Sequence, residues 1–342
     1  MKVFVLIRRN LITILFLLFV LFLVSFSNSN IIAARSGLSL WANNVIPSLF
    51  PFLVAVELLK NTNVIYFLSL YLDKYMRPFF NLPGCSAFPF IMGLLSGYPI
   101  GAKIVSSLYE NGACTKEEAE RMLPFSNNSG PLFIIGTVGI SFYSNSTLGL
   151  ILLVVHILSS LTLGVVTGII SRFKKNNSSS VSYSMHPNGD ISIAELGTIL
   201  SSAIMNGIKS VLMIGGFVTL FSVIIAILEK AHFLIGFANG ISSLFKVNSD
   251  LIVAFVTGII EFTNGLSKLS NIHLKNISIN IALSSFLLAF GGISVTLQVL
   301  SIISKHRLSI KPYLAGKIFQ AIVSVIYTLL ILSIPMFNFN LY

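Results

Sequence analysis

A single carboxylate, Glu261, falls inside the largely apolar stretch Leu251–Leu266. A carboxylate is costly in lipid, and one found there marks a functional site by default. Three chemistries are open to it: binding a cation, carrying a proton, or accepting hydrogen bonds from a substrate. A structural role is open too, as a neutral carboxyl or as the partner of Lys268 or Lys103. Four clusters of small polar residues interrupt the apolar sequence in the same way. They are Ser96-Gly97-Tyr98-Pro99, Ser126-Asn127-Asn128-Ser129-Gly130-Pro131, Glu261-Phe262-Thr263-Asn264-Gly265 and Gly291-Gly292-Ile293-Ser294. Glycine and proline break helices, and a helix that resumes after Gly97-Tyr98-Pro99 or Gly130-Pro131 turns unpaired amides toward the membrane midplane. Such helix ends favour anions.

Ser96, Asn127, Asn128, Ser129, Thr263, Asn264 and Ser294 add donors and acceptors to these breaks, and Lys103 adds a cation. The inventory suits a polar organic solute with carbonyl or carboxylate oxygens. Each such residue taken alone also serves as glue between packed helices, but the four breaks taken together read as a substrate site. His156, inside Leu148–Ile170, reads as a histidine hydrogen-bonded within the bundle, with a proton relay as the alternative. Lys209 and Lys268 either neutralise an anion or extend toward the interface. The remaining histidines form no metal spacing, and Cys85 and Cys114 are isolated packing residues. No P-loop, nucleophile elbow or basic-aromatic nucleic-acid face is present. An enzyme, an ATP-driven pump and a nucleic-acid partner are therefore not expected. No cofactor is expected either; H+ and Na+ are the coupling ions that Glu261 would serve.

The breaks come in pairs. At an offset of 165 positions, FIMGLLSGYPIGAK (Phe90–Lys103) lands on FVTGIIEFTNGLSK (Phe255–Lys268), matching Phe90 with Phe255, Gly93 with Gly258 and Lys103 with Lys268. Phe52 meets Phe217 and Phe125 meets Phe290 at the same offset, which indicates a duplicated unit.

The elements that position these breaks are membrane helices. Of 342 residues, 55% are hydrophobic and only 10% charged, against about a quarter charged in soluble domains. The chain therefore reads as an all-α polytopic membrane protein whose main partner is the lipid bilayer. Crossing the bilayer takes about 20 apolar residues. Candidate segments are Leu11–Phe26, Leu38–Leu59, Ile65–Leu72, Ala87–Leu108, Pro124–Phe142, Leu148–Ile170, Ile193–Leu228, Phe233–Phe245, Leu251–Leu266, Ile277–Ile303 and Tyr313–Pro335. The organisation expected is an N-terminal anchor over 1–30, a first repeat over 38–142 and a connecting span over 148–171. A cytoplasmic polar linker over 172–192, a second repeat over 193–304 and a C-terminal span over 312–335 complete it. The net charge of +11 threads consistently, with Lys60, Lys74, Arg77, Lys116, Arg121, Arg172, Lys305, Arg307 and Lys311 all on the cytoplasmic side. One span between the units gives them opposite senses, the inverted-topology repeats with interrupted helices of secondary transporters.

The motifs SGYPIGAK (Ser96–Lys103) and RMLPFSNNSGPLFIIGTVG (Arg121–Gly139) resemble the nucleoside recognition, or Gate-domain, family in its sporulation membrane branch. The resemblance runs from about Leu38 to Ile334. It implies an architecture related to concentrative nucleoside transporters, in the outer forespore membrane of an endospore-forming bacterium. It also implies a transport role, moving dipicolinic acid out of the mother cell. A dianion suits Asn127, Asn128, Ser129, Lys103 and the helix ends. It suits Glu261 only if that carboxyl is protonated or paired, whereas a glutamate suits the ribose hydroxyls of a nucleoside. Dipicolinate transport by alternating access is the first expectation. Nucleoside transport and a non-transporting sporulation scaffold are the alternatives, and a homo-oligomer or sporulation membrane partners are compatible with each.

Overall fold

A computed structural model describes residues 10–173, 193–274 and 277–334. The regular elements among them are all helical. The polar linker lies, from residue 174 on, outside the described residues, as do Lys2, Arg8, Arg9, Lys275 and His186.

Helix α1 (Leu11–Ser25) meets the next helical stretch at 98°. The bend falls at Phe26, and Asn30 in the first turn of the next helix ties the corner, its Nδ2 donating to the Phe22 and Leu23 carbonyls (3.0 and 3.2 Å). From there α2 (Ser27–Leu40), a π-turn (Trp41–Val45) and α3 (Ile46–Lys60) follow without interruption. The helix expected from Leu38 thus starts earlier, because small and aromatic residues pack this stretch against the long helix of the second half: Gly37 lies against Ser222 and Thr219, and Trp41 Nε1 donates to the Val211 carbonyl at 2.9 Å.

Next come α4 (Val64–Tyr75), α5 (Ala87–Ser96), α6 (Ile100–Glu110), α7 (Lys116–Ser126) and a π-helix (Phe133–Phe142). The connecting helix α8 (Ser146–Phe173) has 28 residues, about 42 Å at 1.5 Å per residue, more than enough to cross a ~30 Å hydrocarbon core. The second half holds α9 (Ile193–Lys230), α10 (Phe233–Phe245), α11 (Ser249–Ile260), α12 (Phe262–Ser270), α13 (Ser278–Phe290), α14 (Gly292–Ile303) and α15 (Lys311–Leu332). Four helical stretches among the described residues are long and apolar enough to cross a membrane, or up to six if each bent pair is one span.

All four helix interruptions occur where the sequence places them. They separate α5 from α6, α7 from the π-helix, α11 from α12, and α13 from α14. In each half the first pair folds back as a hairpin and the second forms an interrupted span. Glycines close the hairpins: a Cβ on Gly93 would lie 3.2 Å from Gly101 Cα, and one on Gly265 would lie 2.1 Å from Gly258 Cα. Small residues let helix backbones approach this closely.

Contacts at the two ends show the directions of the two interrupted spans. At one end Arg121 and Arg172 donate to the backbone carbonyls of Asn81, Arg77 and Pro78, the Ser309 amide donates to Glu120, and His306 faces Glu110. This is the basic end. At the other, Tyr143, after the π-helix, bonds Asn280 and Ser284 at the start of α13. The first interrupted span therefore runs from the basic end to the far end, and α13–α14 runs back.

The start of α7 is fixed by a capping box, in which the Glu118 amide donates to Thr115 Oγ1 at 3.2 Å and the Thr115 amide to Glu118 Oε2 at 2.8 Å. Thr115→Ala is expected to remove about 1 kcal/mol, read as a lower unfolding midpoint in detergent.

Candidate functional site

The four breaks converge. Gly97, at the tip of the first hairpin, has φ +84° and packs so closely on the first interrupted span that a Cβ would lie 2.9 Å from the Gly130 amide nitrogen. Gly292, with φ +76°, does the same against the second hairpin, 3.0 Å from the Gly258 carbonyl. The halves are then cross-linked: Tyr98 Oη donates to the Leu288 and Ala289 carbonyls (3.0 and 3.1 Å), which the break at Gly291 leaves without helical partners. Phe262, from the second hairpin, packs on Tyr98 and Phe133 with ring centroids 5.9 and 5.3 Å away.

Between them lies a cavity of about 40 Å³ lined by Gly97, Tyr98, Ser129, Gly130, Glu261 and Thr263, with Gln298 and the apolar Leu49, Phe133 and Val295. That volume suits one or a few waters, so the site is contracted around its centre.

Glu261 is fully buried and accepts from the amides of Thr263 (3.2 Å) and Asn264 (2.8 Å) and from Asn264 Nδ2 (2.8 Å). It caps α12 with its own carboxylate, in the position that an anionic ligand takes at a helix N-terminus. Neither lysine expected to pair with it does so: Lys268 pairs with Glu229 and Lys103 with Glu57. The reason is geometric, since both lysines follow their hairpin tips by a turn or more and point to the outer ends of the arms. Glu261→Ala is expected to free these three donors, lowering the unfolding midpoint by the equivalent of about 2 kcal/mol in a thermal melt of the purified protein.

Around the first interrupted span the predicted residues form a buried polar network. Asn127 Nδ2 donates to Tyr313 Oη at 3.0 Å; Asn128 Nδ2 donates to the Phe125 carbonyl (2.6 Å) and Ser160 Oγ (3.1 Å). The Ser129 amide donates to His156 Nε2 at 3.1 Å and its hydroxyl to the Leu288 carbonyl at 3.4 Å. His156 is thus the hydrogen-bonded histidine expected from sequence. Asn264 reaches Ser222 Oγ at 3.0 Å. Ser96 and Ser294 are buried with hydroxyls that have no hydrogen-bond partner among the described residues. Of the predicted residues, Gly97, Tyr98, Ser129, Glu261 and Thr263 line the cavity; Ser96, Asn127, Asn128, Asn264 and Ser294 stand behind it. Pro99 and Lys103 face a different cavity on the basic side of the hairpin tip.

The network has a centre that the sequence reading passes over. Lys317, on α15, is 0% exposed. Its Nζ donates to the Asn127 carbonyl (2.9 Å) and Gln320 Oε1 (2.7 Å), and lies 5.1 Å from the centroid of the Tyr98 ring. Gln320 Nε2 in turn donates to Asn128 Oδ1 at 3.0 Å. No carboxylate lies within ion-pair distance of Lys317 among the described residues. Among the described residues, the hydrogen bonds of this buried lysine go to neutral oxygens, one aromatic ring away from the cavity.

Residues 42–175 match the family described as nucleoside recognition, the Gate domain. Over 337 residues the chain is 32% identical to the sporulation integral membrane protein YlbJ of Bacillus subtilis (strain 168), covering 93% of this chain and 82% of that one. The chain belongs to the YlbJ family of sporulation integral membrane proteins. No solved structure matches it. The Gate match takes in the first hairpin, the first interrupted span and α8, and so the Asn127–Ser129 side of the site; Glu261 and Lys317 lie beyond it. In this YlbJ-family protein the signal for Lys317 was present, because a lysine within the apolar segment Tyr313–Pro335 meets the same criterion that singles out Glu261.

Proposed function

We propose that the protein transports a small anionic metabolite, dipicolinate first among them, from the mother cell across the outer forespore membrane by alternating access. The observation that carries this reading is the meeting of four helix breaks from two inverted units at one contracted cavity, with Lys317, which has no ion pair among the described residues, behind it. Irregular backbone at membrane depth is tolerated where it lines a cavity or is buried in protein, and transporter sites are built this way. Withdrawal of the first hairpin's tip takes Tyr98 away from Leu288 and Ala289 and brings the Lys317 amine to the enlarged cavity. There it meets a carboxylate of the substrate together with the Asn127–Ser129 break. Glu261, already satisfied by the amides of its own helix, is prevented from turning its full charge on the dianion.

The same cavity supports a second reading. Glu261 and Gln298 face it together, and both suit the hydroxyls and base edges of a nucleoside.

The test is the dipicolinate content of spores from a strain whose copy carries Asn128→Ala at normal membrane levels. Content is expected to fall severalfold, because the substitution unlinks Gln320 and Ser160 from the break. Unchanged content would sink the transport reading at this site.

A further inference from the structure

A larger cavity lies on the other face of the first hairpin's tip. It measures about 730 Å³, within the ~300–1,000 Å³ usual for small-molecule sites. Its walls are α6, α9 and α14, and Pro99 and Ile100 form its inner end. Gly97 and Tyr98, immediately before them, line the contracted central cavity. The tip of the hairpin is therefore the partition between the two spaces. Lys60 and the Lys305–His306 corner stand at the outer end of this larger cavity, which places its mouth at the basic end of the molecule.

Its charge is unbalanced. Lys60, Lys103, Lys209 and Lys305 all line it. Two of them are committed: Glu57 holds Lys103 at 2.7 Å and Lys60 at 3.4 Å, with Asn206 Nδ2 donating to the same carboxylate at 3.3 Å. Glu110, the acidic residue of the lining, faces His306 at 3.8 Å. Lys209 and Lys305 enter no ion pair among the described residues. Lys209 lies well inside the apolar span of α9. Its ammonium is tolerated there because it faces this water-accessible space instead of lipid. A concave space lined by excess charge of one sign concentrates counter-ions and speeds their capture.

We propose that this cavity is an anion-receiving vestibule, in which Lys209 and Lys305 hold the carboxylates of a small dicarboxylate before it passes the tip of the first hairpin. The Lys103–Glu57 pair ties the hairpin arm α6 to α3 and keeps the partition in place while the vestibule fills. The inference rests on the anion-transport reading, which it extends to the route of entry and to the lysines that select the charge.

The experiment titrates pyridine-2,6-dicarboxylate, and uridine as a neutral control, into the purified full-length protein in phosphatidylcholine nanodiscs. Wild type is compared with Lys209→Gln, Lys305→Gln and the double variant, and flux into liposomes is measured in parallel. The vestibule predicts that the double variant loses about tenfold in dicarboxylate affinity, that each single variant loses part of this, and that wild-type affinity falls as salt is raised. Any uridine affinity stays unchanged. Because both side chains are exposed, the variants are expected to keep the wild-type elution profile. Equal affinities in wild type and double variant would overturn the vestibule while leaving the transport reading to the flux arm. Lysine-dependent binding without flux would do the reverse. Loss of wild-type binding when phosphatidylglycerol is added to the nanodiscs would also overturn it, assigning the lysines to lipid headgroups. Absence of any dicarboxylate binding would overturn both.

Discussion

Lys317→Met is expected to reduce dicarboxylate transport by about 10- to 100-fold, the range of a charge-assisted hydrogen bond of ~1.5–3 kcal/mol, while the protein remains folded in the membrane. Methionine fills nearly the same volume, and the buried site accepts an apolar chain of that shape more readily than it accepts an unpaired charge. The Asn127 carbonyl and Gln320 Oε1 lose one donor, a local cost that leaves the Asn128–Ser160 and Asn127–Tyr313 bonds in place. Lys317→Arg is expected not to rescue, since a planar guanidinium does not fit where one compact amine nitrogen bridges two oxygens under a tyrosine ring. Flux and the elution profile of each variant check this. Full flux with Lys317→Met would remove the lysine from the substrate's path.

The other large effect is structural. Gly101→Ala and Gly93→Ala are each expected to prevent recovery of folded protein. A Cβ at Gly101 would lie 1.8 Å from the Ser126 carbonyl oxygen and 2.9 Å from Asn127 Cα, and one at Gly93 would lie 1.7 Å from the same oxygen. These neighbours are backbone, so no rotamer change relieves the clash, and the cost exceeds the ~1–3 kcal/mol of ordinary overpacking. The two arms of the first hairpin clamp the end of α7 where the Asn127–Ser129 break begins. Gly136→Ala, whose Cβ meets no packed neighbour within 4 Å beyond the local helix backbone among the described residues, is the control expected to retain wild-type yield and unfolding midpoint. Monodisperse yield in detergent separates the three.

The breaks were legible because lipid leaves so few reasons for Ser-Gly-Tyr-Pro or Ser-Asn-Asn-Ser-Gly-Pro within an apolar sequence, and because a fixed offset paired them. The offset also matched Gly93 with Gly258, for which the structure gives a reason: each lets the first arm of its hairpin pack against an interrupted span, Gly93 at the Ser126 carbonyl and Gly258 at the Leu287 side chain. The widths of the breaks were not legible. A single residue, Glu261, separates α11 from α12, and Gly291 alone, with φ +80°, separates α13 from α14. A fixed offset aligns positions but does not say where a helix stops. Lys103 was legible as a cation near the site, but not its direction, because the hairpin's outer arm turns it toward Glu57. Lys317 was not legible in this way because the repeat stops short of α15. The packing that drives α15 against the first interrupted span is a long-range property, with Lys317 and Asn127 separated by 190 positions in the chain.

The most direct test of the account is uptake of radiolabelled dipicolinate into proteoliposomes containing the purified protein, with uridine and Lys317→Met measured in parallel. The account predicts saturable dipicolinate flux that is absent from empty liposomes, lost in Lys317→Met and indifferent to excess uridine. Uridine flux that ignores dipicolinate would contradict it and move the cavity to nucleosides. Flux of neither solute under imposed proton or sodium gradients would contradict transport itself.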